Sequence, residues 1–179
     1  MRRYIQFVIF LLVPFQVALP QTRGQIKNGI THIDLDGDGV EDLVVKGYVE
    51  NVSPHSTDIY TFYIHKDSLP GSAISNLVRI KQGSQFNYYV STRRGADCCL
   101  RDIRLAKISK DFSGLQLIIA ERPLGWSYVA METVTFTFYK LTLYSDTGIP
   151  ICLFEEYAKT HTKKKYCDVN DAFQKELGM

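Results

Sequence analysis

The chain has 179 residues, of which 45% are hydrophobic and 22% charged, and its formal net charge is +2. These values are typical of a globular protein and exclude a disordered chain, a collagen and a coiled-coil rod. A charge so close to zero also gives no general field that would attract nucleic acid, so we expect no nucleic-acid partner.

The first 20 residues predict a secretory signal peptide. Arg2 and Arg3 precede an almost wholly apolar run from Tyr4 to Val13, which is the order found in such signals. The run is shorter than the ~20 residues that cross a bilayer, and an uncleaved signal anchor is the alternative. We therefore expect residues 1–20 to be removed, residues 21–179 to form one domain in the periplasm, and no membrane span to remain after cleavage.

Strand-like patterns occupy most of the chain after the signal. The segments predicted as strands, which are apolar or alternate between apolar and polar residues, are 30–33, 43–49, 58–65, 115–120 and 133–144. In the third of these, Tyr60, Phe62 and Ile64 share one face. The aromatic content of 12% also favours a sheet.

The longest strand pattern, residues 133–144, changes phase along its length. Val134, Phe136 and Phe138 are even-numbered, whereas the later apolar residues Leu141 and Leu143 are odd-numbered. Because side chains alternate along a strand, this change predicts a bulge near Tyr139.

A single helix is predicted at the C-terminal end of the sequence. Asp168 is a favourable N-cap, the apolar residues of 169–177 follow helical spacing, and Gly178 suits the C-terminal cap. The predicted fold is therefore mainly β: a single antiparallel β domain, either a sandwich or a curled sheet, with a short C-terminal helix.

The four cysteines are Cys98, Cys99, Cys152 and Cys167. An even number in an exported protein favours disulfides, and four cysteines allow three complete pairings. A disulfide between the neighbouring residues Cys98 and Cys99 would be strained, so two long-range disulfides are expected. A zinc site is disfavoured because no CxxC spacing and no nearby histidine are present.

Residues 34–42 form an acidic loop with the pattern DxDxDGxxD. The carboxylates of Asp34, Asp36, Asp38 and Asp42 converge if the chain curls, and such hard oxygen ligands suit Ca²⁺. An EF-hand would need Glu at the twelfth loop position, where this chain has Val45. The predicted site is a structural calcium site in a β hairpin, and the alternative is an Asp- and Gly-rich turn without metal.

The motifs of hydrolases are absent from the sequence. It has no SxxK, no GxSxG and no HExxH pattern, so we expect no enzymatic activity. An unrecognised hydrolase would use a charged cluster of Asp97, Arg101, Asp102 and Arg104, for which Asp–Arg pairing within a sheet is the alternative explanation.

Two exposed loop tips are the predicted binding face, because loops carry function more often than core strands. They are residues 93–94, both arginines, and residues 122–128. Trp126 belongs either to this face or to the core.

The sequence resembles the carbapenem intrinsic-resistance proteins, the CarG/CarF-like family. The resemblance rests on the segments HIDLDGDG at 32–39, DLVVKGY at 42–48, DIYTFY at 58–63, GADC at 95–98, LRD at 100–102, VTFTFY at 134–139 and TKKKYCDV at 162–169. It implies an exported protein that protects its producer against a carbapenem without a β-lactamase site. Protection would come from binding the drug or from shielding a periplasmic target protein.

The resemblance also implies a cysteine pairing. The cysteine after Gly-Ala-Asp would pair with the one before Asp-Val, which joins Cys98 to Cys167 and leaves Cys99 and Cys152 as an additional pair.

The alternative function is a calcium-stabilised envelope binding module that is unrelated to an antibiotic.

Overall fold

The computed structural model describes residues 26–50, 55–65, 75–144 and 151–179, so the predicted signal peptide lies outside the described residues. The strands are β1 (Gly29–Ile33), β2 (Asp42–Val49), β3 (Thr57–His65), β4 (Ser75–Leu77), β5 (Arg79–Gln82), β6 (Gln85–Asn87), β7 (Val90–Ser91), β8 (Arg93–Arg94), β9 (Cys99–Ala106), β10 (Gln116–Glu121), β11 (Glu132–Tyr144) and β12 (Ile151–Tyr166). A short helix, α1 (Val169–Ala172), continues directly into a π-helical turn, Phe173–Leu177.

The strands of the described ranges form two sheets. The first has the order β1-β2-β3-β4, with β7 also paired to β3. The second has the order β6-β5-β12-β11-β10-β9-β8 and curls into a half-barrel. The pairs are antiparallel except for β5 with β12, which run parallel. The predicted mainly β fold with a short C-terminal helix is confirmed, and the second sheet is mixed.

The main core lies between the two sheets. Tyr60, Phe62 and Ile64 are buried in it, as the alternation in β3 predicts. Phe62 meets Phe154 of the second sheet edge-to-face, with ring centroids 5.3 Å apart. This arrangement is favourable for aromatic pairs beyond the area that it buries.

A smaller core covers the opposite face of the second sheet. Here Val134 and Phe136 of β11 pack against the C-terminal helix, and the rings of Phe136 and Phe173 are 5.3 Å apart. Tyr139, further along β11, is buried in the main core instead. The change of phase in the sequence therefore marks the point along β11 where its buried side chains stop packing against the C-terminal helix and begin to pack against the first sheet.

The bulge predicted near Tyr139 is present in the pairing of β11 with β12. Phe138 pairs with Ala158, whereas Tyr139 pairs with Glu156, so the register shifts between these two pairs. The additional residue is Tyr157, which places the bulge on β12, while β11 itself continues to alternate.

The helical segment begins and ends at the predicted caps. The carboxylate of Asp168 accepts a hydrogen bond from the backbone N–H of Asn170 at 2.7 Å, and Gly178 closes the segment with φ of 70°. Among the described residues, no helix is both long enough and apolar enough to cross a bilayer.

A disulfide joins Cys98 to Cys167, as the family resemblance implies. It links the residue before β9 to the residue after β12, with a sequence separation of 69. The second predicted bridge is wrong. Cys99 is buried in the helix-covered core and Cys152 in the main core, so the two thiols lie on opposite faces of the second sheet. Burial raises the pKa of the Cys99 thiol to about 12.

Candidate functional site

The acidic loop connects β1 to β2 and is folded around its own carboxylates. Asp34 accepts hydrogen bonds from the backbone N–H groups of Gly37 and Gly39, at 2.6 and 3.0 Å. Asp42 is 1% exposed and accepts from Leu35 N at 2.7 Å and His65 N at 2.8 Å. The loop is therefore curled, with the side chains of Asp34 and Asp42 drawn inward.

Three of the four predicted ligands come together. Single carboxylate oxygens of Asp34, Asp36 and Asp42 lie within 4.8 Å of one another, while Asp38 stands outside this group and accepts a hydrogen bond from Val40 N. Burial, followed by the nearby carboxylates, raises the pKa of Asp42 despite its two backbone hydrogen bonds. A hard cation would offset this cost, so the donor set fits Ca²⁺.

The acidic loop interlocks with the β9–β10 turn, residues 107–115. Leu115 N donates to Leu35 O at 2.8 Å, and Ser113 Oγ donates to Asp36 O at 2.8 Å. A Cβ atom on Gly114 would lie 2.2 Å from the Leu35 carbonyl oxygen, so the two backbones approach too closely for any other residue.

An open groove of about 510 Å³ lies against this junction. Its lining comes from the acidic loop, the β9–β10 turn and the C-terminal end of β11: Asp36, Gly37, Asp38, Phe112, Ser113 and residues 140–143. The ammonium of Lys140 lies 5.9 Å from the centroid of the Phe112 ring. The groove therefore combines carboxylates on one side with a cation, hydroxyls and apolar surface on the other.

Sequence reasoning identified the acidic side of this groove and missed its other side. Phe112, Ser113 and Lys140 belong to no local motif, and they reach the loop only through long-range contacts. The Ser-Gly pair at 113–114 is the one local signal, since it marks a turn.

Two of the four residues proposed for a hydrolase, Asp102 and Arg104, belong to a buried ionic network. Lys46 lies 3.1 Å from Asp58, which lies 3.3 Å from Arg94, and Arg94 in turn lies 3.6 Å from Asp102. Arg104 lies 3.2 Å from Asp102. The network joins β2 and β3 of the first sheet to β8 and β9 of the second.

Asp97 and Arg101, the other members of the proposed cluster, are elsewhere. Asp97 is exposed in the turn before β9, and Arg101 lies 3.8 Å from Glu121 on β10. The structure therefore favours the alternative explanation, in which Asp–Arg pairs stabilise the junction of the sheets.

The predicted binding tips are only partly exposed. Trp126 is 83% exposed, and Arg93 is also exposed. Arg94 is half-buried in the ionic network, and Arg122 is 2% exposed because its guanidinium donates to backbone carbonyl groups beneath the loop. Trp126 thus belongs to the surface and not to the core.

Together these features define a mainly β protein in which an acidic loop and its groove lie on a two-sheet core, with a disulfide beside the terminal helix. Comparison with protein families matches residues 26–175 to the family described as "Carbapenem resistance protein CarG-like". The chain belongs to this CarG-like family, as the resemblance in its sequence predicted.

A solved structure described as "Crystal structure of CarG" has the same fold. It superposes with a TM-score of 0.70 at 23% sequence identity, over 86% of this chain and 94% of that chain. Comparison with curated proteins gave no match.

Proposed function

We propose that this protein is exported and protects the producing cell against a carbapenem by binding the drug without hydrolysing it. The observation that carries the proposal is membership of the CarG-like family over residues 26–175. The signal-like pattern of residues 1–20 supports export.

The chemistry of the described side chains supports a role without hydrolysis. The Cys99 thiol is buried and its pKa is raised to about 12, so it is protonated and a poor nucleophile at neutral pH. The carboxylate cluster of the acidic loop includes no histidine or cysteine, whereas zinc hydrolases bind their metal mainly through such ligands. The sequence also lacks the SxxK pattern of serine β-lactamases.

We assign the drug to the groove beside the acidic loop. Its volume of about 510 Å³ lies within the usual range for small-molecule sites. Lys140 can pair with the carboxylate that carbapenems carry, and Phe112 and Leu143 offer apolar contact. Because Asp36 and Asp38 would repel an anion, a cation bound in the acidic loop would favour binding of the drug.

Lys140→Gln is expected to weaken carbapenem binding by about tenfold or more, because a hydrogen bond to a charged group is worth roughly 1.5–3 kcal/mol. Titration calorimetry of the purified protein, with and without Ca²⁺, measures the effect. Lys165→Gln, which removes an exposed lysine from the end of β12, is the matched control and should bind normally. Equal affinity of the two variants for the carbapenem would show that the drug does not bind in this groove.

The carboxylate cluster specifically favours a second candidate, a calcium-stabilised envelope binding module. A ligand that binds the folded state at 100 times its Kd stabilises it by about 2.7 kcal/mol, so Ca²⁺ should raise the Tm by about 5 °C or more. EDTA should reverse the rise, Asp36→Asn should abolish it, and Asp97→Asn should leave it intact.

Calorimetric scans with added Ca²⁺ and then EDTA measure this shift. A Tm that changes with neither Ca²⁺ nor EDTA would exclude a structural calcium ion. Stabilisation by calcium without any affinity for the drug would favour the binding module over drug protection.

A further inference from the structure

The loop between β10 and β11, residues 122–131, presents large apolar side chains to solvent. Trp126 is 83% exposed, Met131 55% and Val129 45%. Exposure of several such side chains on one loop is unusual for a surface that contacts only water, and it indicates an interaction site. We call residues 122–131 the tip loop.

The tip loop is held rigidly, so this exposure is built into the fold. The buried guanidinium of Arg122 donates hydrogen bonds to the backbone carbonyl oxygens of Pro123, Tyr128 and Cys167. Cys167 is also one of the two disulfide cysteines. His55 stacks on the ring of Tyr128, with centroids 4.4 Å apart and an angle of 12° between the planes. A rigid loop loses little conformational entropy when it binds.

Three lysines cluster beside the tip loop. Thr133 pairs with Lys165 and Thr135 with His161, so residues 162–164 bulge out from the β11–β12 ladder. Thr162 fixes this bulge, because its hydroxyl accepts from Val134 N at 3.0 Å and donates to Lys164 O at 2.6 Å.

The result is a basic surface at the start of β11, where the tip loop ends. Lys163, Lys164 and Lys165 are all exposed. Glu132, the acid that follows the tip loop, is half-buried beside Gly125. Glu121, the exposed acid that precedes the tip loop, lies 3.8 Å from Arg101. We call residues 163–165 the lysine bulge.

We propose that the tip loop and the lysine bulge bind the surface of an anionic lipid bilayer. Tryptophan favours the headgroup region of a membrane, where its ring is half apolar and half wet. Each lysine near an anionic surface contributes about 1 kcal/mol, and lasting attachment requires an apolar and a basic contribution together. Charge complementarity selects the anionic bilayer, and the proposal does not depend on drug binding.

The chain contains one tryptophan, so the fluorescence of Trp126 reports directly on the tip loop. We expect vesicles of phosphatidylglycerol to shift its emission to shorter wavelength, and brominated lipids in those vesicles to quench it. Vesicles of phosphatidylcholine should have a much smaller effect. Because the apolar residues 1–20 of the full chain can bind lipid by themselves, sedimentation with vesicles is not a sufficient test.

Matched lysine variants test the basic contribution. The double variant Lys163→Gln with Lys165→Gln should lower the partition coefficient for phosphatidylglycerol by about tenfold or more. Lys107→Gln with Lys110→Gln removes the same charge from the β9–β10 turn, at the opposite end of the second sheet, and should change it little. The proposal is overturned if neither lipid shifts the emission of Trp126, or if both lipids shift it equally. It is also overturned if phosphatidylglycerol shifts the emission equally in the two double variants. Unresponsive emission would assign the tip loop to a protein partner.

Discussion

Replacing Cys98 and Cys167 together by serine is expected to lower the free energy of unfolding by about 4 kcal/mol. The bond closes a loop of 69 residues, and chain-entropy estimates for a loop of that length give roughly this value. Loss of the bond should also loosen the tip loop, because Cys167 O accepts a hydrogen bond from Arg122. Urea denaturation of the variant and the unchanged protein measures the difference.

A reducing agent provides the control for this prediction. It should destabilise the unchanged protein by a similar amount and leave the double variant unaffected. If reduction lowers the stability of both equally, another cysteine is responsible; if neither change matters, the bond does not stabilise the fold.

Asp102→Ala is expected to cost about 3 kcal/mol or more. Asp102 is 1% exposed and lies between two guanidinium groups, those of Arg94 and Arg104. Its removal leaves both cations in a poorly solvated site, and breaking a buried ion pair typically costs roughly 3–5 kcal/mol. The midpoint of urea denaturation measures the loss.

Asp97→Ala is the matched control, because Asp97 is exposed and only five residues away. It should change the stability by less than about 0.5 kcal/mol. A loss below about 1 kcal/mol for Asp102→Ala would show that the network does not stabilise the junction of the sheets. A selective loss of drug turnover in the folded variant would instead support the hydrolase hypothesis.

Local patterns were sufficient to predict the strands β1, β2, β3, β10 and β11 and the helix caps. Tyr60, Phe62 and Ile64 lie on one buried face because β3 is amphipathic, and Asp168 caps the helix through its own side chain. The even-to-odd change in β11 was correctly associated with a bulge near Tyr139, but the extra residue belongs to the partner strand. A phase change in one strand does not reveal which strand carries the insertion.

The features that sequence reasoning missed depend on long-range contacts. The groove exists because Leu115 binds Leu35 across the fold, and no spacing in the sequence reports that contact. The even number of cysteines alone suggested a disulfide between Cys99 and Cys152, but these residues lie on opposite faces of one sheet. No local pattern places the lysines at 163–165 at the bulged end of β12, because that bulge is set by the pairing with β11.

The central claim is protection by binding without hydrolysis. The most direct test is the inhibitory concentration of a carbapenem for a sensitive Gram-negative host that expresses the full chain, with the absorbance of the drug in the medium followed in parallel. We predict raised tolerance while the absorbance stays constant. Raised tolerance with loss of the drug would contradict the claim and indicate a hydrolase, and unchanged tolerance would contradict protection itself.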